Sequence, residues 1–373
     1  MTQRTAGPPQ AISARASGDP HWGEVLKDAL VQDGTVDRAT HRFHAYPARM
    51  HPDCAARIIA ECPGHVHDPF CGGGTVLVEA RMAGRASSGT DLSPIAVLIS
   101  QTRSAAPEMA TPLRSASRKI AELAQRRVDV RVPEIAERWF QPHVAQELGR
   151  IRDGIIVSDP AVQPLLRAVM SSILVKVSFR VSDTSNRREP HHRPPGTTAT
   201  LFHKKARELG RALETMAPGP APRIVQADAR RLGSVEKAGL VLTSPPYPGV
   251  YDYLPMQQLR YAWLGIDAEG ALSREIGARR SFRAQGRQDA LRVWRQDTEA
   301  WVAAQAEELA PGGRFVIVVG DGLVGDKPVD TLGPTVEAMR SAGLEIVARA
   351  SADRADHARS TIRIEHMVMG QAK

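Results

Sequence analysis

The sequence predicts an α/β protein in which a doubly wound parallel sheet is interrupted by a mostly helical insertion. Three observations predict it. Two short loops, His67-Asp68-Pro69-Phe70-Cys71-Gly72-Gly73-Gly74-Thr75 and Thr243-Ser244-Pro245-Pro246-Tyr247, each follow a brief apolar run, the position at which parallel strands deliver ligand-binding loops at their carboxyl ends. Around the first loop, strand and helix signals alternate as β-α-β-α between residues 65 and 103, the rhythm of a parallel sheet wound with helices. Residues 105–220 then break that rhythm with amphipathic helical stretches before it resumes at Arg223.

The composition, 42% hydrophobic and 24% charged over 373 residues, excludes a disordered or fibrous chain and is enough for one large α/β domain with an insertion or for two domains. Lys and Arg exceed Asp and Glu by 49 to 41, a net charge of +8 carried mainly by arginine. That balance suits a polyanionic partner such as nucleic acid, and equally suits solubility on a chain this long. Cys54, Cys62 and Cys71 form no CxxC pair, so neither a disulfide framework nor a zinc site is indicated and no metal is expected. No stretch approaches the ~18 consecutive apolar residues of a membrane span, so a soluble, cytoplasmic protein is expected.

In chain order, residues 1–20 lack apolar periodicity and carry Pro8, Pro9, Gly18 and Pro20, which predicts a flexible tail. Thr40 to Pro52 is dense in His, Pro and aromatics and reads as an extended arm entering a helix after Pro52, with Ala55, Ile58 and Ile59 inward. Residues 21–104 form the first half of the sheet domain: a strand at 65–68, a helix from Thr75 to Gly84, a strand at 86–90 closing on Asp91, and a helix from Pro94 to about Arg103. Residues 105–220 form the insertion, with helices at 113–127, 144–156, 164–179 and 200–216 and a basic, proline-broken loop at 186–196. Residues 221–373 complete the sheet with strands at 223–227, 239–242, 314–319, 344–350 and 361–369; the last two suit an antiparallel edge pair. Seven strands result.

The chemistry sits in the loops. Three successive glycines after Asp68 allow a backbone approach that a Cβ blocks, and a helix amino end accommodates an anion or a carboxylate-bearing ligand. A glycine triplet alone also suits a phosphate loop, a dinucleotide loop or a tight turn. Asp91, 23 residues after Asp68 and at the end of the next strand, is placed either to accept hydrogen bonds from a ribose diol or to cap the helix at Ser93-Pro94. In Thr243-Ser244-Pro245-Pro246-Tyr247 the twin prolines have no amide donors and hold the chain extended. A Ser hydroxyl and a Pro carbonyl there can accept both hydrogens of one exocyclic amine, and Tyr247 supplies a flat face for a base. A Pro-Pro turn explains the prolines but neither the Ser nor the Tyr.

Asp-Pro-Phe-Cys-Gly-Gly-Gly-Thr and Thr-Ser-Pro-Pro-Tyr resemble motifs I and IV of the amino-methyltransferases that act on DNA, and His44-Ala45-Tyr46-Pro47-Ala48-Arg49 resembles their motif X. The resemblance implies a Rossmann-like class I methyltransferase fold and S-adenosyl-L-methionine as cofactor. By position in the motifs it implies cofactor binding by Tyr46, Pro47, Asp68, Phe70, Gly72, Gly74, Thr75, Asp91 and Asp228, the last near the adenine. Ser244, Pro245, Pro246 and Tyr247 are the implied catalytic residues. The implied reaction is direct methyl transfer to the exocyclic N4 of cytosine in double-stranded DNA, with base flipping and without a covalent enzyme intermediate, since no Cys follows a Pro in the catalytic stretch. The unpermuted motif order is one that many cytosine-N4 members do not share. Adenine N6 is the alternative, and an RNA base amine a further one. The resemblance also brings target recognition to the insertion and a restriction endonuclease as partner.

Two basic stretches are candidates for phosphate contact: Arg187, Arg188, His192, Arg193, Lys204, Lys205 and Arg207 in the insertion, and Arg279, Arg280, Arg283, Arg287, Arg292 and Arg295 after the catalytic loop. Gly249 to Tyr253 follows the catalytic loop, with aromatics suited to a base pocket or to packing. His191-His192 has no companion ligand cluster and reads as solvated or phosphate-facing.

Overall fold

The structure, a computed structural model, describes residues 11–47, 49–126, 128–231, 236–324, 327–356 and 361–373. Its strands in chain order are β1 (Ala11–Gly18), β2 (Val66–Asp68), β3 (Ser87–Asp91), β4 (Arg180–Ser182), β5 (Ser185–Arg188), β6 (Arg223–Gln226), β7 (Ala238–Thr243), β8 (Leu309–Gly320), β9 (Gly322–Val324), β10 (Lys327–Val329), β11 (Glu345–Asp356) and β12 (Thr361–Gln371). The sheet domain carries helices α1 (Pro20–Leu30), α2 (Pro52–Glu61), α3 (Thr75–Met82) and α4 (Pro94–Arg103). The insertion carries α5 (Ala110–Ala124), α6 (Ile135–Trp139), α7 (Pro142–Ile156), α8 (Gln163–Val177) and α9 (Thr197–Glu214). After the catalytic loop come α10 (Tyr253–Met256), α11 (Gln258–Leu264), α12 (Glu269–Leu272), α13 (Arg279–Gln285), α14 (Arg287–Glu307) and α15 (Leu332–Ser341).

The main sheet is Rossmann-like and has the order β1-β11-β12-β8-β7-β2-β3-β6. Strands β8, β7, β2, β3 and β6 run parallel, and β12, β11 and β1 add antiparallel to the β8 side. The chain leaves β2 toward β3 on one side and leaves β7 toward β8 on the other. The strand order therefore reverses between β2 and β7, and the crevice beyond their carboxyl ends is the ligand-binding position of such sheets.

The seven predicted strands are all present, and an eighth joins them. Ala11–Gly18, read from sequence as part of a flexible tail, pairs antiparallel with β11 from Ala11↔Arg354 to Gly18↔Ala348; the rest of that predicted tail, residues 1–10, lies outside the described residues. The strand escaped notice because Ala-Ile-Ser-Ala-Arg-Ala-Ser-Gly has no run of large apolar residues to mark it. It also converts the predicted edge pair β11–β12 into interior strands. Pro311-Gly312-Gly313, read as a turn, lies within β8 as a bulge: Ala238 pairs with Leu309 and Leu240 with Arg314, and Gly312 takes φ +72°.

Alternation along the central strands divides the core. Leu240, Leu242, Val316 and Val318 face α1 and α2, with Leu26, Ile58 and Ile59. Val241, Phe315, Ile317 and Val319 face α14 and α15, with Trp301 and Met339, as the two-residue period of a strand requires. The insertion does not stand apart. Helices α5, α7, α8 and α9 share one apolar cluster with Ile95 and Ile99 of α4 and with Leu259 and Trp263 of α11. Glu147 of α7 fixes the start of α9 by accepting the N–H of Gly196 at 2.6 Å and of Thr198 at 3.1 Å, anionic capping at a helix amino end.

At the turn from β1 into α1, Gly18 has φ +97° and a Cβ there would lie 2.4 Å from the Val347 carbonyl oxygen. Gly18→Ala is expected to cost more than about 1 kcal/mol, read as a lower urea midpoint together with faster amide exchange in Ala11–Gly18.

Candidate active site

Strands β2 and β7 are hydrogen-bonded neighbours, with Val66 opposite Leu240 and His67 opposite Val241. The two loops therefore emerge side by side although Thr243 follows Asp68 by 175 positions. They are joined directly: the Thr243 hydroxyl donates to Asp68 Oδ1 at 2.7 Å, and the Phe70 N–H donates to the same oxygen at 3.1 Å. Both side chains are buried. Burial pushes the Asp68 carboxyl up to about 7, against the pull of these two donors.

The glycine loop is a closed turn. Gly74 N–H donates to the Cys71 carbonyl at 2.6 Å, and Cys71 N–H to the Thr90 carbonyl at 2.9 Å. Gly72 and Gly74 take φ of +48° and +76°, the latter as the cap residue of α3. A Cβ on Gly74 would lie 2.9 Å from Ser100 Cα, and one on Gly72 would lie 3.3 Å from the Tyr46 ring. Asp91 closes the loop from β3: Oδ2 accepts the Gly72 N–H and Oδ1 the Ser93 N–H, each at 2.8 Å. It caps the turn into α4, and each oxygen, holding one N–H, retains a lone pair. Burial lifts its carboxyl to about 6, against those same bonds.

The arm lies across this loop. His44 is held between the Ala45 carbonyl at 2.7 Å and Ser171 of α8 at 2.9 Å, and Tyr46 packs with its ring on Gly72 and its Cβ on Gly73; Ala48 lies outside the described residues. Behind the loop, the fully buried Arg103 donates to the Gly73 and Thr40 carbonyls and, at 2.9 Å, to His41 Nδ1. Because a guanidinium only donates, Nδ1 is the acceptor and Nε2 carries the proton toward Glu79, 2.5 Å away. Burial holds His41 below its ordinary range, with Glu79 opposing and Arg103 reinforcing that shift.

These elements enclose one cleft of about 690 Å³, its open mouth included. Of the residues singled out from sequence, Tyr46, Pro47, Phe70, Gly72, Asp91, Asp228, Ser244 and Pro246 line it. Asp68, Gly74 and Thr75 are not part of the lining; Asp68 and Gly74 hold the loop through the bonds described above. Pro245 and Tyr247 face away, onto a slot beside Trp294 and Trp301. The Tyr247 ring packs against Gly320, where a Cβ would lie 2.7 Å from it, so a flat face free for a base is not what this ring presents. Its hydroxyl lies 3.4 Å from Ser244 Oγ and 3.5 Å from Glu365 Oε1.

Asp228 is tied up by Arg230, with Nε 2.9 Å from Oδ1 and Nη2 2.7 Å from Oδ2. Burial raises the Asp228 carboxyl, but the Arg230 bonds outweigh it and leave the group below its usual range. Sequence reasoning did not find Glu275 and Ile276 of the cleft wall. Glu275 accepts the Tyr253 N–H at 2.5 Å and an Arg280 donor at 2.5 Å, which sets the following aromatic, Tyr253, into the cleft wall. A lone Glu in an irregular loop carries no pattern that marks it. His191 and His192 are held by the Glu189 carbonyl and by Gln141.

The lining suits a nucleoside with a charged tail. Asp91 offers acceptors for a diol, Phe70 and Ile276 an apolar wall, and the bare glycine backbone room beside Tyr46. S-adenosyl-L-methionine has these parts.

Compared with known proteins, the chain is 39% identical over 71 residues to the Type II methyltransferase M.MvaI of Kocuria varians, a match covering 17% of this chain and 15% of that protein. The match thus spans about a seventh of that relative's length. No family model matches. Among solved structures, TrmN from Thermus thermophilus aligns with TM-score 0.33 and 11% identity, covering 86% of this chain and 49% of that one. The rRNA methyltransferase AviRa from Streptomyces viridochromogenes aligns with TM-score 0.35 and 13% identity over 88% of both chains. The glycopeptide N-methyltransferase MtfA complexed with (S)-adenosyl-L-methionine aligns with TM-score 0.31 and 10% identity, over 85% and 92%.

Asp68→Asn keeps an acceptor oxygen for Thr243 and Phe70 and removes the titration. An aspartate whose folded value, about 7, lies above its unfolded value contributes stability that is lost as pH rises through that range. The variant is therefore expected to gain stability relative to the parent between about pH 4 and 7, checked by urea unfolding at several pH values.

Proposed function

We propose that the protein is an S-adenosylmethionine-dependent methyltransferase acting on the exocyclic N4 of cytosine in double-stranded DNA. The observation that carries this reading is that Ser244 and Pro246 share one cleft with Asp91 and Gly72, so an amine-holding loop meets a nucleoside-holding loop. The local identity to a Type II methyltransferase supports the same class.

When bound, the cofactor supplies an electrophilic methyl group on a sulfonium. Asp91 holds the ribose diol, and the Gly72 turn leaves room for the tail. The Ser244 hydroxyl and a carbonyl of the Pro-Pro pair, of which Pro246 lines the cleft, accept the amine hydrogens, turning the nitrogen lone pair out of conjugation, and these hydrogen bonds strengthen as the nitrogen becomes positive. The amine's proton leaves through Ser244 Oγ, from which the Tyr247 hydroxyl and the Glu365 carboxylate lead away from the cleft. Tyr247 therefore serves through its hydroxyl and Tyr253 supplies the aromatic wall for the flipped base.

Adenine N6 is the second reading for the acceptor, because the same loop holds either amine. Supplying labelled cofactor with duplex DNA, RNA and mixtures of both, then identifying the modified nucleoside, separates the readings. Label on N4-methylcytosine in duplex DNA is expected, and absence of label from DNA despite tight cofactor binding sinks the proposal. Ser244→Ala is expected to cut turnover by about 10²-fold or more while cofactor affinity by calorimetry changes little; equal loss of both removes its assigned role.

A further inference from the structure

The two basic stretches of the sequence are not equivalent once folded. In the stretch after the catalytic loop, Arg279 donates to the Val250 carbonyl, Arg280 binds Glu275 and Asp252, and Arg287 donates to the Pro328 carbonyl at 2.9 Å. Half of those arginines build the cleft wall and its hairpin support.

The insertion keeps its charge outward. Lys176, Arg187, Arg188 and Lys204 are exposed, and Arg193 is half-buried. Nearby acids are few: Glu189 lies 3.6 Å from Arg187, and Glu208 holds Lys205 at 2.5 Å. The Lys176 ammonium sits below its ordinary range, through burial and then the like charges of Lys205, Lys204 and Arg193, with Glu208 opposing. Arg193 donates to the Lys176 carbonyl, which brings these two cations together where α8 ends. The Arg188 guanidinium is stacked 4.8 Å over the Phe179 ring, which orders it while leaving its N–H edge free.

This face is tied to the cleft. Strands β4 and β5 form a hairpin pairing Arg180 with Arg188. Arg180 Nη1 donates to the Met256 carbonyl at 3.0 Å, at the end of the short helix whose Tyr253 and Leu254 line the cleft. Arg260 anchors the hairpin turn through Asp183 at 2.5 Å. The hairpin that carries Arg187 and Arg188 is thus fastened to the wall of the cleft.

We propose that Lys176, Arg187, Arg188, Arg193 and Lys204 on the outer face of the insertion grip the phosphate backbone of duplex DNA next to the cleft. The proposal deepens the methyltransferase reading and rests on it for the choice of duplex DNA. The contacts are electrostatic and carry no base specificity.

The test is fluorescence anisotropy of a short labelled duplex over a range of KCl concentrations, without cofactor. The triple variant Arg187→Ala, Arg188→Ala, Lys204→Ala is expected to weaken binding at least about tenfold for any sequence and to lower the slope of log K against log salt by about 2 to 3. Arg187→Lys with Arg188→Lys is expected to keep the slope, and so is the matched triple Arg283→Ala, Arg292→Ala, Arg295→Ala. An unchanged slope in the first triple, loss confined to the second, or tighter binding of single-stranded RNA through the same residues overturns the proposal. If the slope falls but DNA is never methylated, the surface stands and the assigned reaction fails; if DNA is methylated and the slope is unmoved, the surface fails alone.

Discussion

The architecture depends on one buried hydrogen bond, from the Thr243 hydroxyl to the Asp68 carboxylate. It joins the ends of two central strands between which the chain traverses the insertion. Such a bond contributes about 0.5–1.5 kcal/mol, and leaving the buried acceptor unpaired costs its desolvation. Its main effect is geometric. The Asp68 oxygen that takes the hydroxyl also takes the Phe70 N–H, so the first residues of the glycine loop and the residue before Ser244 are set by the same atom.

A second constraint works from behind. Arg103, His41 and Glu79 form a buried line in which the donor character of the guanidinium decides the histidine tautomer, and Arg38 joins from the rim through Glu79 and Asp53. Isolated buried charge is costly, and here each charge is matched by a carbonyl, an imidazole or a carboxylate. The line ties the arm, the glycine loop and α4 into one body, so Tyr46 does not rest on the loop by apolar contact alone.

Much of the fold was legible in the sequence because local signals and tertiary packing agree. Helix α4 begins at Pro94 with Ser93 capping it, and Thr243 ends its strand where the apolar run Leu240-Val241-Leu242 stops. Legibility failed where the determinants are distant. Strand β1 exists because β11 offers it a partner, and β4–β5 because Arg180 reaches both the Ser185 carbonyl and Asn186. In the site, the loops were readable as motifs, but which face each side chain shows was not. Tyr247 turns away because Gly320 leaves room for its ring, and Glu275 enters the cleft wall from a loop without periodicity. Asp228 is engaged by an arginine two residues on, a pairing the sequence permits but does not require.

The eighth strand has a topological consequence. Since β1 lies against β11, and β11 against β12, the first and last strands of the described chain are separated by a single strand, and a linker spanning that strand's length would join them. The insertion, at the other side of the fold, is where the chain could be opened. A circular permutant made this way would present the Ser-Pro-Pro-Tyr loop before the glycine loop while keeping every strand pairing of the sheet. Motif order along the chain and motif placement in space are thus separable properties of this architecture.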